Sequence, residues 1–114
     1  MKTLALTIAL FFAVAAGNAR AAGTFDVTPG TVASGGSATV SLCGFAVGQG
    51  GYYTVSGPSV SSTRFWGPAT GSGCLTYTES TTGWAAGKYK FIGYLTDPKG
   101  HNSRIGSAVV SVTP

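Results

Sequence analysis

Short runs in which apolar and polar residues alternate recur along the chain between turns rich in glycine and proline. In the run SATVSLC, Ala38, Val40 and Leu42 share one face of an extended strand. Helix-favouring Leu, Glu and Lys are scarce after residue 21. The pattern predicts an all-β domain of the sandwich or barrel type. The other predicted strands are TFDVTP, GYYTVSG, SVSSTRFW, CLTYTES, GKYKFIGYLT and a last strand from about Ser103 to Thr113.

The best-specified pair of strands is joined by the segment Asp97-Pro98-Lys99-Gly100. These residue types at these positions predict a type I β-turn that closes a hairpin. Lysine seldom points into a core, so the alternate positions of the preceding strand face inward. A bulge is expected near Gly106 in the last strand. The inward residues are Tyr89, Phe91, Gly93 and Leu95.

The N-terminus has the pattern of a cleavable export signal. Lys2 precedes an apolar run from Leu4 to Ala16, and Ala19-Arg20-Ala21 provides small residues at a cleavage site. The apolar run is shorter than the roughly 20 residues that span a membrane. We expect residues 1–21 to be a signal peptide and residues 22–114 to be a secreted or periplasmic domain with no membrane span after cleavage. An uncleaved N-terminal anchor is the alternative.

The charge pattern argues against nucleic acid as a partner. The full chain has a formal net charge of +4, from seven basic and three acidic residues. Cleavage after residue 21 would remove Lys2 and Arg20, so five basic and three acidic residues leave a net charge of +2. The remaining basic residues form no run that would track a phosphate backbone. They are Arg64, Lys88, Lys90, Lys99 and Arg104.

The chain has only two cysteines, Cys43 and Cys74. In an exported protein such a pair predicts a disulfide. Strand alternation points Cys43 away from the Leu42 face and Cys74 away from the Leu75 face, which favours a bridge between neighbouring strands of one sheet. A zinc site that includes both cysteines and His101 would be one ligand short unless Asp26 or Asp97 joins it or the site is catalytic. A cysteine nucleophile with His101 as its base is the other alternative, but each cysteine has a better partner in the other.

Groups able to transfer protons are few after residue 21, and no two of the carboxylates are predicted to converge. Asp97 is expected to cap its turn, with His101 solvated beside it. No serine lies in a Gly-x-Ser-x-Gly motif, and the GQGG and GSG segments lack the helix and lysine of a phosphate loop. We therefore expect no enzymatic activity, no cofactor and no metal. The groups considered are Asp26, Glu79, Asp97 and His101.

Two longer segments, DVTPGTVASGGSATVSLCGFAVGQ and WAAGKYKFIGYLTDPKG, resemble parts of bacterial immunoglobulin-like domains. In that resemblance, Tyr89 corresponds to the corner tyrosine. Two departures are that Phe91 occupies the position of the second core cysteine of an antibody domain, and that the third strand lacks tryptophan. The resemblance implies an immunoglobulin-like antiparallel β-sandwich of about seven strands, in which the AVGQGG and DPKGHN loops meet at one end.

Aromatic and basic residues on outward positions are the best candidates for a binding surface. Flat aromatic rings stack on sugars, and cations meet acidic groups. The alternative for the tryptophans is that Trp66 and Trp84 cover the ends of the core, and the loops AVGQGG, GPATGSG and DPKGHN are alternative binding edges. Strand alternation places Ile92 on the same outward face as these candidates. The candidate residues are Tyr52, Arg64, Trp66, Lys90 and Tyr94.

These observations predict a non-catalytic binding or structural module. A small adhesin or carbohydrate-binding module would carry exposed aromatics on one face and recognise a cell-surface glycan. A protein-interaction module, such as a hydrolase inhibitor or a subunit of a surface assembly, would offer a free edge strand or a protruding loop to another protein. A small-ligand binder similar to the secreted chromophore-carrying sandwiches would have a cleft between its sheets.

Overall fold

A computed structural model describes residues 23–71 and 73–114, and the predicted signal peptide lies outside these residues. The described residues form eight strands and no helix. None of them therefore provides a helix of the length and apolarity needed to cross a membrane. In chain order the strands are β1 (Thr24–Thr28), β2 (Thr31–Ala33), β3 (Ser37–Cys43), β4 (Gly50–Ser56), β5 (Ser61–Trp66), β6 (Cys74–Ser80), β7 (Gly87–Thr96) and β8 (Asn102–Thr113).

The strands form two sheets that pack as a sandwich. The order is β1-β3-β6 in the three-stranded sheet and β2-β8-β7-β4-β5 in the five-stranded sheet. All pairings are antiparallel except that of β2 with β8, which is parallel. The all-β class is confirmed. The sequence interpretation contains no equivalent of β2, because three residues are too few to show an alternation.

The core lies between the sheets and follows the predicted alternation. On β3 and β7 every second residue is buried, and on β4 Tyr53 and Val55 are buried. The inward faces of β3 and β7 are confirmed, since Val40, Leu42, Tyr89 and Phe91 are all at most 1% exposed. Burial of such side chains provides most of the favourable free energy of folding. The outward residues of the same strands are thereby presented to solvent in straight rows.

Tyr89 holds the segment that precedes β7 in position. Its hydroxyl donates to the carbonyl of Ala85, four residues upstream, at 2.7 Å, and lies 2.8 Å from the Ser59 hydroxyl oxygen. The Ser59 hydroxyl in turn accepts from the Ala85 amide at 2.9 Å. The indole of Trp84 packs on the Tyr89 ring at 4.7 Å between centroids. These contacts join the β4–β5 turn to the segment before β7.

The predicted disulfide joins Cys43 on β3 to Cys74 on β6. The two residues are direct partners in the antiparallel register, and their Cα atoms are 4.0 Å apart. The Gly44 amide donates to the Gly73 carbonyl at 3.1 Å, so the cysteines occupy the adjacent pair without mutual hydrogen bonds, where side chains come closest. The prediction of a bridge within one sheet is confirmed, and both sulfurs are used in it.

The turn between β7 and β8 is the predicted one. The Gly100 amide donates to the Asp97 carbonyl at 2.9 Å. The Asp97 carboxylate accepts from the amides of Lys99 at 2.9 Å and His101 at 2.8 Å, and its second oxygen is 3.4 Å from the exposed His101 ring. These hydrogen bonds, that of the His101 amide above all, hold the pKa of Asp97 below its ordinary value. The predicted roles of Asp97 and His101 in the turn are confirmed.

The expected bulge is in β8, one residue from Gly106. Gly93 pairs with Gly106, but the next residue, Tyr94, pairs with Arg104. Ile105 is therefore the additional residue. The Phe25 ring occupies the space above Gly93, where a side-chain Cβ would lie only 2.5 Å from the ring. The bulge determines which face of the sheet Arg104 occupies.

Candidate functional site

Three aromatic side chains lie side by side on the outer face of the five-stranded sheet. Tyr52 on β4 is the direct register partner of Phe65 on β5 and of Tyr94 on β7. The Tyr52 and Tyr94 rings stack, with centroids 4.8 Å apart and an interplanar angle of 23°. Phe65 meets Tyr52 edge-on at 6.5 Å and is 80% exposed. We call Phe65, Tyr52 and Tyr94 the aromatic row.

The strand register explains why these rings meet. The Gly57 amide donates to the Val60 carbonyl at 2.9 Å in the β4–β5 turn. Hydrogen-bonded and non-hydrogen-bonded pairs alternate from there, which places Tyr52 and Phe65 in a non-hydrogen-bonded pair. Side chains of such a pair are the closest neighbours across two strands. The outward positions of Tyr52 and Tyr94 are confirmed, and both rings are half-buried by their neighbours.

The aromatic row ends at a cation. Because of the bulge in β8, Arg104 is the register partner of Tyr94 and continues the row onto the fourth strand. Its guanidinium donates to the Ser107 hydroxyl at 3.0 Å, and the side chain is exposed. A neutral partner leaves the positive charge uncompensated, so the remaining N–H donors are available to a ligand.

Two further cations lie on the same face along β7. Lys90 and Lys88 are exposed and alternate with buried residues, as Tyr94 does. Half-buried Ile92 lies between Tyr94 and Lys90. Four residues of a strand separate Tyr94 from Lys90, about 13 Å at the usual rise per residue. The predicted outward position of Lys90 is confirmed.

Trp66 is on the opposite face from the one predicted. Its side chain is 3% exposed and packs on the Phe45 ring at 4.7 Å between centroids. Trp66 is the register partner of Gly51, and its indole N–H donates to the Tyr94 carbonyl at 3.0 Å. The outward placement is wrong, and the alternative that both tryptophans cover the core is confirmed, since Trp84 is 9% exposed.

Arg64 is also wrongly placed by the sequence interpretation. It is the register partner of the buried Tyr53 and reaches between the sheets to Glu79 on β6. Its Nε lies 3.0 Å from Glu79 Oε2, and its Nη2 lies 3.2 Å from Oε1. The Tyr53 hydroxyl donates to the same carboxylate. This ion pair neutralises Arg64, which therefore adds no charge to the outer face.

The buried cluster perturbs the phenol of Tyr53. Burial, together with the hydrogen bond and the charge of Glu79, raises the pKa of Tyr53 well above its ordinary value of 10.0. The hydrogen bond to Glu79 likewise raises the pKa of Arg64. Glu79 is only 6% exposed, whereas the Arg64 side chain is 40% exposed. The cluster links β4 and β5 to β6, and so connects the five-stranded sheet to the three-stranded sheet at one edge.

A groove opens at one end of the sandwich, between the β3–β4 loop and the β7–β8 turn. Its volume is about 490 Å³. The predicted meeting of the AVGQGG and DPKGHN loops is thereby confirmed. The GPATGSG loop is joined to the AVGQGG loop by a backbone hydrogen bond. In it the Ala69 amide donates to the Gln49 carbonyl at 2.7 Å. The groove is lined by Val47, Gly48, Gln49, Leu95, Thr96, Asp97 and Pro98.

The remaining acidic groups lie apart from the aromatic row. Asp26 is exposed on the outer face of the three-stranded sheet, opposite Ser41. Asp97 and His101 lie in the β7–β8 turn. Within residues 23–71 and 73–114, no three His, Cys, Asp or Glu side chains cluster as metal ligands would. The aromatic row is thus bordered by cations and hydroxyl groups.

The sequence matches no protein-family model and no curated protein.

Proposed function

We propose that this chain is an exported, non-catalytic, immunoglobulin-like binding module that recognises glycans through its aromatic row. Support for the fold assignment comes from the two-sheet strand order and from the Tyr89 hydroxyl, which bonds the backbone four residues upstream as a corner tyrosine does. Support for export comes from the N-terminal sequence and from the disulfide. The sandwich acts as a rigid support for its outer face.

The observation that carries the proposal is the exposure of Phe65 beside a stacked tyrosine pair. A large aromatic that is 80% exposed gains nothing from the core, and its ring remains free to cover the C–H face of a sugar. Stacking fixes the orientation of Tyr52 and Tyr94, so little side-chain entropy is lost when a ligand binds. Their hydroxyls are hydrogen-bonding groups for a ligand at the surface.

The test compares Phe65→Ala with Val47→Ala in binding to soluble hexasaccharides of glucose, N-acetylglucosamine and galacturonic acid. Val47 is a matched control because it is 73% exposed but lies in the β3–β4 loop. We expect at least one hexasaccharide to bind, and Phe65→Ala to weaken that binding by about 1 to 2 kcal/mol. Val47→Ala should leave it unchanged. Absence of binding to all three sugars, or equal effects of the two variants, would contradict the proposal.

A protein-interaction module is the second candidate, and the free edge of β5 favours it. The register directs the backbone groups of Ser61, Thr63 and Phe65 away from β4, and within the described residues no strand pairs with them. Thr63→Pro removes one of these outward N–H groups without breaking a bond to β4. A dimer in sedimentation equilibrium that Thr63→Pro dissociates would support strand pairing between copies. A wild-type monomer would count against it.

A further inference from the structure

The distribution of charge over the molecule distinguishes the outer face of the five-stranded sheet. Lys88, Lys90 and Arg104 are exposed on it. Among the described residues, this face carries no Asp or Glu, since Asp26 is on the other sheet, Glu79 is buried between the sheets and Asp97 is in the turn. The face is therefore positively charged in the same region as the aromatic row.

These three cations have no carboxylate partner within the part of the chain that the structure describes. The ion pair found there is Arg64 with Glu79, and the Asp97 carboxylate lies beside the His101 ring in the β7–β8 turn. Arg104 is held instead by the neutral Ser107 hydroxyl at 3.0 Å. A positively charged surface attracts anions. The aromatic rings beside these cations favour an anion that also has flat, apolar faces.

The arrangement along the sheet indicates an extended ligand. Tyr94, Ile92, Lys90 and Lys88 follow one another on the outer side of β7, and a strand of this length measures about 20 Å between Tyr94 and Lys88. Serine and threonine flank Lys90 and Ile92 on β4, so no bulky side chain on that strand restricts access to them. A polymer along β7 meets Tyr94 and the neighbouring Arg104 at one end and the two lysines at the other.

From this charge complementarity we infer that the ligand is an acidic polysaccharide, with sugar rings on the aromatic row and acidic groups on Arg104 and Lys90. The inference rests on the proposed glycan-binding function and specifies its substrate class. Guanidinium and carboxylate or sulfate form charge-assisted hydrogen bonds, for which Arg104 has free donors. Since the cations are exposed, salt weakens the attraction.

The test uses hexasaccharides that differ in charge but not in ring number. The probes are a galacturonate hexamer, its fully methyl-esterified form, and sulfated and unsulfated galactose hexamers. We expect at least one acidic hexamer to bind about tenfold more tightly than its neutral counterpart at low ionic strength. The preference should diminish when the ionic strength rises to about 0.5 M.

A double variant tests whether Lys90 and Arg104 cause the preference for the acidic hexamer over the neutral one. Lys90→Gln combined with Arg104→Gln should weaken binding of the acidic hexamer about fivefold or more and leave the neutral hexamer unaffected. Lys99→Gln is the matched control, because it removes the same charge from the exposed β7–β8 turn. It should change binding less than twofold, because a screened charge outside the sheet face contributes little.

Failure of this inference is distinguishable from failure of the proposed function. Equal binding of acidic and neutral hexamers, lost in Phe65→Ala, would overturn the acidic ligand and leave glycan binding in place. Absence of binding to all four hexamers would overturn the acidic ligand, and absence of binding to the glucose and N-acetylglucosamine hexasaccharides as well would overturn both. Duplex DNA that binds as tightly as the acidic hexamer, with no loss in Phe65→Ala, would also overturn both, because the surface would then be a general polyanion site.

Discussion

Tyr52 and Tyr94 stack across neighbouring strands with ring centroids 4.8 Å apart, about the distance between two hydrogen-bonded strands. The rings can therefore face each other without any distortion of the sheet. Trp66 supports this pair from the inner face, because its indole N–H donates to the Tyr94 carbonyl. The outer aromatic row and the core are thus linked through the backbone of β7.

Trp66→Phe tests that link. The substitution keeps an aromatic ring in the core but removes the donor to the Tyr94 carbonyl. We expect a loss of about 1 to 3 kcal/mol in the free energy of unfolding, from the lost hydrogen bond and the smaller ring. Urea denaturation followed by far-ultraviolet circular dichroism measures it. A stability equal to that of the wild type would show that the indole hydrogen bond contributes nothing.

Replacement of both cysteines by serine tests the contribution of the disulfide. The bridge closes a loop between residues 31 positions apart, for which the chain-entropy model gives about 3 to 4 kcal/mol. We expect the Cys43→Ser, Cys74→Ser protein to lose about that much stability in urea denaturation. Thiol titration of the denatured, unreduced wild type should find no free sulfhydryl. Two free sulfhydryls per chain would contradict both the bridge and the export it supports.

Arg64→Ala tests the ion pair between the sheets. The substitution leaves the carboxylate of Glu79, which is 6% exposed, with only the Tyr53 hydroxyl as partner. We expect a loss of about 1 to 3 kcal/mol, below the cost for a fully buried pair because the Arg64 side chain is 40% exposed. Arg104→Ala is the control, and thermal denaturation should show it to be within about 0.5 kcal/mol of the wild type. Equal effects of the two variants would refute the structural role of Arg64.

The raised pKa of Tyr53 predicts an alkaline limit to stability. A phenol whose pKa is higher in the folded state than in the unfolded state favours folding below the unfolded value, near 10, and loses that contribution as the pH rises towards its folded value. Stability should therefore fall above about pH 10. Tyr53→Phe should be less stable at neutral pH and show a smaller alkaline loss. Urea denaturation at several pH values compares them, and identical alkaline slopes would rule out Tyr53 as the cause.

The disulfide and the outer face differ in how well the sequence predicted them, for physical reasons. Cys43 is the last residue of one alternating strand and Cys74 is the first residue of another, so alternation alone indicates which way both point. In SSTRFW, by contrast, Phe65 and Trp66 are adjacent, and one of them has to face each way. A shift of one residue exchanges the two faces, which is why Trp66 and Arg64 were predicted on the outside and Phe65 was not.

Arg104 shows a second limit of alternation. The glycine at position 106 indicated a bulge, and the bulge is present one residue away. Alternation cannot predict which residue the bulge inserts, because the extra residue is defined by the pairing of β7 with β8 in the folded sheet. Only the register of the folded sheet places Arg104 beside Tyr94. The outward positions of Tyr52 and Tyr94 could be predicted from alternation alone, since β4 and β7 are regular.

The most direct test of a glycan-binding outer face is a titration of isotope-labelled protein with the galacturonate hexamer and, separately, with the sulfated galactose hexamer. Changes in amide chemical shifts show which residues contact the sugar. We expect the largest changes at Tyr52, Phe65 and Tyr94, and smaller changes at Lys90 and Arg104. Changes concentrated on Thr39 and Thr76 of the opposite sheet, or on Val47 and Asp97 around the groove, would contradict it.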